Sequence, residues 1–150
     1  MNQFKSRNPN FKEYVLSKIQ NNHFSKHIGI SFDRIEEGYV EASAPFVTFM
    51  EQQDGFVHGG FTSALSDIVS GFAAYTLVED QQRVMTVEIK ISYFNRGMGE
   101  KVIGKGRVLK SGKQFFFCEA DIYVLRDGIE HLIAKSTSTM AVIHSKEPKN

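Results

Sequence analysis

The chain has 150 residues, 41% apolar and 23% charged, and its 18 Lys and Arg against 17 Asp and Glu leave a formal net charge of +1 at pH 7. That length predicts a single domain over 1–150 that buries a core without disulfide or metal, and the balanced charge offers no basic run for nucleic acid. One cysteine, Cys118, excludes an internal disulfide and a Cys-rich metal site. No run of about 18 apolar residues predicts a membrane span, and the opening segment lacks the apolar centre of a signal peptide, so a cytoplasmic protein is expected.

In chain order, "NPNFKEYVLSKIQNN" predicts a helix over about 9–22. Asn8 is its candidate cap, Pro9 suits the first turn, and Phe11, Tyr14, Val15 and Ile19 recur at helical spacing. "IGISFDRIEEGYVEASAPF" reads as two strands joined at Glu37-Gly38, and "FVTFMEQQDGFV" as a loop leading to His58. From about 61 to 77, Leu65, Ile68, Val69, Phe72 and Ala73 form the apolar stripe of a helix. "RVMTVEIKISYF" alternates, with Met85, Val87, Ile89, Ile91 and Tyr93 on one face and Thr86, Glu88, Lys90 and Ser92 on the other. Three further strands follow, turning at Ser111-Gly112 and Asp127-Gly128, and the polar tail "SKEPKN" reads as frayed. The order predicts an α+β domain, a curved antiparallel sheet of about six strands around the central helix. Its open edges favour pairing with a second subunit.

The central helix carries one acid. Positions three, four and seven residues from Asp67 are Gly60, Ser63, Ala64, Ser70, Gly71 and Ala74, all small. Such a stripe admits another backbone or a slender ligand. It suits either helix packing beside a hydrogen-bonded Asp67 or a carboxylate lining a narrow slot as base or nucleophile. Gly59 and Gly60 stand where the helix begins. Its first N–H groups lack partners there, and glycine lets a carbonyl oxygen approach them. The competing reading is a plain tight turn.

"HGGFTSALSD", with "DGFV" upstream and "VMTVEIKISYF" downstream, resembles the PaaI-like hot-dog acyl-CoA thioesterases of phenylacetate degradation. The resemblance runs from about residue 28 to 143 and implies a hot-dog fold, an acyl-CoA substrate, no cofactor, and a homodimer assembling into a homotetramer. It implies that the Gly59 N–H, helped by Gly60, binds the thioester carbonyl, and that Asp67 activates water beside the other subunit's glycines. It also implies that Thr86 helps hold that water and that His58 shapes the loop. The family's Asn, six residues before the histidine, is here Gln52, with Gln53 adjacent. Phe56, Phe61 and Met50 are candidate linings of an acyl slot.

Arg96, Lys105, Arg107, Lys110 and Lys113 could cradle coenzyme A phosphates or form a solvated, lysine-blunted hairpin. His23, His27, His131 and His144 lack metal-ligand spacing. Cys118 shares a face with Phe116, Ala120, Ile122 and Val124 and reads as structural, and no Gly-x-Ser-x-Gly elbow is present. Thioester hydrolysis is the leading expectation. A non-catalytic acyl-CoA-binding module is the alternative, favoured by Gln52, and a hot-dog dehydratase lacks its acid–histidine pairing here.

Overall fold

The computed structural model describes residues 4–144; the expected fraying of "SKEPKN" lies outside them. The N-terminal segment forms two helices rather than one, α1 (Phe11–Gln20) and α2 (His23–His27). Asn8 does not cap α1: its Oδ1 accepts from the Asn10 N–H at 2.8 Å, forming a turn that delays the helix. Asn22 ends the expected single helix by capping the next, its side chain accepting from the Ser25 N–H at 3.0 Å.

A hairpin follows, β1 (Ser31–Glu36) and β2 (Tyr39–Pro45), then a single 3-10 turn at Thr48–Met50 and the central helix α3 (Gly59–Tyr75). The remainder is four long strands, β3 (Gln82–Tyr93), β4 (Lys101–Ser111), β5 (Phe115–Arg126) and β6 (Ile129–His144). All pairings are antiparallel, in the order β1-β2-β4-β5-β6-β3. The sheet wraps α3, which lies against β2 through β6, giving the hot-dog architecture. Sequential strands β4, β5 and β6 sit side by side, whereas β3 crosses to the far edge and stands beside β6.

Two glycines of β4 let the helix settle onto the sheet. A Cβ on Gly104 would lie 2.8 Å from the Leu65 side chain, and one on Gly106 would lie 2.4 Å from the backbone of Val69. Leu65, Val69, Ala73, Phe116 and Ile122 are buried around this contact. Cys118 is buried with them, and burial pushes its thiol up to about 12, which keeps it protonated and inert.

α3 spans Gly59–Tyr75, two residues earlier at each end than the sequence predicts, because the two glycines form its first turn. At the other end Thr76 Oγ1 donates to the Ala73 carbonyl at 2.6 Å and accepts from the Gly38 N–H at 2.7 Å, fastening the helix end to the β1–β2 turn.

The predicted alternation of β3 breaks. Its register against β6 shifts between Thr86 and Glu88, leaving Val87 as a bulge. Before the bulge Val84 and Thr86 face the helix; after it Ile89, Ile91 and Tyr93 do. Met85 and Val87 point outward and are exposed, so Thr86 stands on the helix side instead of opposite it. No helix among the described residues is long and apolar enough to cross a membrane.

Candidate active site

His58 sets the start of α3. Its backbone is extended, and its ring Nδ1 accepts from the Gly60 N–H at 2.8 Å. A Cβ on Gly60 would lie 2.9 Å from that nitrogen, so the ring and the glycine fit each other. The Gly60 amide is thereby used. The Gly59 N–H has no acceptor among the described residues, which makes it the donor available to a ligand oxygen. Tyr93 braces this turn: its hydroxyl donates to the Gly59 carbonyl at 3.1 Å and lies 2.7 Å from Ser63 Oγ.

Asp67 lies two turns further along the one stripe of α3 that is not buried, with Ser63, Ala64, Gly71 and Tyr75. Thr86 Oγ1 donates to Asp67 Oδ1 at 2.6 Å. The other carboxylate oxygen has no partner among the described residues. The bulge at Val87 makes this contact possible, since it puts Thr86 on the helix side while keeping Ile89 and Ile91 there as well. Asp67, Thr86, Gly71, Val84 and Asn22 border a cavity of about 190 Å³. Eight residues of helix separate Gly59 from Asp67, about 12 Å at 1.5 Å per residue. Within one chain the helix therefore does not set the two groups side by side.

Gln52 lines the same 490 Å³ cavity as Gly59, but its side chain folds back: Oε1 accepts from the Asp54 N–H inside the 52–55 turn. Gln53 lies outside that cavity, its amide 3.4 Å from Asp54. Arg96 enters the cavity over the Phe56 ring, 5.2 Å from its centroid. The Val57 N–H, donating to the Gly97 carbonyl at 2.9 Å, fixes the helix start at the Lys101 end of β4. Lys110 and Lys113 stand at the opposite end, about 30 Å away at 3.3 Å per strand residue, so within one chain they do not join the site. Lys105 and Arg107 are engaged in ion pairs with Glu130 and with Glu119 and Asp121. Phe61 and Met50 border a separate pocket of about 220 Å³ with Phe24, Phe49, His58, Gly60 and Ala64; Phe56 does not. Among the described residues no cluster of His, Cys, Asp and Glu could hold a metal.

Sequence reasoning gave no place at the site to Tyr93, Phe24 or Phe49, and named Ser63 only as one of the small residues beside Asp67. Tyr93 was within reach, as a tyrosine closing a strand on the helix-facing parity.

A family model described as Thioesterase superfamily matches residues 54–130, a stretch holding His58, both glycines and Asp67. The chain belongs to the thioesterase superfamily. The proofreading thioesterase EntH of Klebsiella pneumoniae is 30% identical over 109 residues, 73% of this chain and 80% of that protein. A thioesterase family protein from Silicibacter pomeroyi superposes with a TM-score of 0.88 at 30% identity, covering 90% of this chain and 99% of that one. The PaaI protein of the E. coli phenylacetic acid degradation operon shares the fold, with a TM-score of 0.78 at 16% identity over 89% of this chain and 93% of its own. As a member of this superfamily the protein is a thioester hydrolase.

Proposed function

We propose that the protein hydrolyses acyl-CoA at a site shared by two copies of the chain, Asp67 from one and the Gly59 N–H from the other. The observation that carries this reading is the pairing of two unspent groups, the Gly59 amide and the second Asp67 oxygen, which the helix does not set side by side within one chain. Edge strand β3, twelve residues long and carrying exposed Met85 and Val87, is suited to pairing with its own copy across a two-fold axis. The exposed outer-face residues Leu109, Phe115 and Phe117 are where two such dimers would pack into a tetramer.

In the reaction Asp67, oriented by Thr86, takes a proton from water as the water oxygen attacks the thioester carbon. The Gly59 N–H, assisted by the α3 dipole, holds the oxygen as it becomes an oxyanion. Collapse re-forms the carbonyl, breaks the C–S bond and releases the thiolate of coenzyme A, which takes up a proton. His58 supports this by occupying Gly60 and fixing the turn. Gln52, after turning out of its own loop, is placed to add a second donor.

A binding module without turnover is the second reading, favoured by the engagement of the Gln52 amide within its own turn. Thiol release from aromatic, short, medium and long acyl-CoAs, measured for the wild type and Asp67→Ala, separates the two. Turnover that collapses in the variant is expected. Binding with no turnover in the wild type would overturn hydrolysis in favour of the module.

A further inference from the structure

The start of α3 divides two cavities of opposite character. The 220 Å³ pocket between α2, the Thr48–Met50 turn and α3 is walled by Phe24, Phe49, Met50, Phe61 and Ala64. Its one polar side chain, His58, already accepts from Gly60. On the other side the 490 Å³ cavity holds Gly59, Asn95 and Arg96. It shares Asn95, Arg96 and Phe56 with an adjoining 680 Å³ cleft that adds Arg126 and His131. The carboxylate in that cleft, Glu130, is paired with Lys105, so Arg96 and Arg126 set its sign.

An acyl-CoA has the same asymmetry about its thioester, a hydrocarbon on the carbonyl side and an amide arm ending in a phosphate-bearing nucleotide on the sulfur side. We infer that the acyl group enters the Phe24–Phe49 pocket and the coenzyme A arm leaves past Arg96 toward Arg126, with Phe24 setting acyl selectivity. This deepens the proposed function and rests on it for the identity of the ligand. The reverse orientation would desolvate phosphates among phenylalanines without a partner. A dry apolar cavity of about 150 Å³ accepts a benzene ring, so this pocket suits a phenyl ring or a medium-length chain. Apart from His58, whose Nδ1 is spent on Gly60, its wall is apolar, so it favours an acyl group that is hydrocarbon over most of its length. Phe24 and Phe49 are 57% and 61% exposed, apolar rings at the mouth whose burial an acyl group would complete.

S-alkyl-CoA thioethers, methyl through octyl, lack the carbonyl and cannot be hydrolysed, so their binding by calorimetry tests this orientation independently of catalysis. In the wild type we expect affinity to rise about fourfold for each methylene buried. Phe24→Ala should flatten the rise, losing about tenfold on octyl and under about twofold on methyl. Arg96→Ala should weaken every thioether about tenfold while leaving S-alkyl-pantetheines, which lack the phosphates, as in the wild type. No binding by the wild type, an unchanged chain-length slope in Phe24→Ala, or an equal Arg96 effect on pantetheines would overturn it. So would a change in sedimentation of Phe24→Ala with the slope intact, which would assign the pocket to a second copy of the chain. Failure to hydrolyse any acyl-CoA would count against the proposed function and leave these binding results to decide the orientation.

Discussion

A methyl group added at Gly106 would sit 2.4 Å from the Val69 backbone, whereas one added at Gly71 would meet nothing within 4 Å. Both glycines concern the same helix. The first lies under its buried face, where absence of a side chain brings helix and sheet into contact. The second lies on its open face beside Asp67, where absence of a side chain keeps a slot clear. Glycines on or against a central helix therefore carry two unrelated meanings, and only the opposing surface separates them. The packing face is fixed by the chain itself; at Gly71 the open face meets nothing of its own chain.

Substitutions on the two faces should fail in different ways. Asp67→Asn should lower kcat about a thousandfold, within the range for loss of a positioned base, while the melting curve stays in place; a fall under tenfold would move the acid out of the chemistry. Gly106→Ala should do the opposite, costing about 3 kcal/mol of folding stability by overpacking against a backbone that cannot rotate away, as read by urea denaturation. Thr86→Val should lower kcat about tenfold by freeing the Asp67 carboxylate, with the neighbouring Met140 contact kept apolar. Gly71→Ala should raise stability by about 1 kcal/mol through helix propensity. A loss instead would show that a partner backbone lies over the stripe at that point.

The smallest effect belongs to the outer face. Asp121, buried there, accepts from Lys135 Nζ at 2.7 Å and Arg107 Nη1 at 3.0 Å. Burial pushes its carboxyl up, but the Lys135 hydrogen bond and the Arg107 charge outweigh this and hold it below the ordinary carboxylate range. A depressed folded-state pKa contributes stability at neutral pH that is lost as the pH falls through that value. Asp121→Asn should therefore cost about 1 kcal/mol at pH 7, and the gap to the wild type should close well below about pH 4.

The elements that repeat a pattern over many residues were legible in the sequence. The stripe of α3, the strands from β4 to β6 and the turns at Gly38 and Asp127-Gly128 follow from periodicity and turn chemistry. The Asp67–Thr86 pair was legible only through family resemblance, because strict alternation puts Thr86 on the wrong face of β3. A bulge of one residue reverses that parity, and nothing in "VMTVEIK" marks it. The side chain of Gln52 was not legible either, since its hydrogen bond to Asp54 depends on the shape of a four-residue turn. Lys110 and Lys113 were grouped with Arg96 by charge alone, and strand length sets them at the other end of the sheet.

The central claim, that one thioester is served by Asp67 of one subunit and Gly59 of another, is tested most directly by mixed dimers. Gly59→Pro suits this test: proline is tolerated at the first position of a helix, and it removes the N–H that has no internal partner. Each variant alone, Gly59→Pro or Asp67→Asn, should be nearly inactive. Unfolded together in equal amounts and refolded, they should recover about a quarter of wild-type activity, because half the dimers are mixed and each mixed dimer holds one intact site. No recovery, with mixed dimers demonstrated by mass, would contradict the account and place both groups in the service of a single chain.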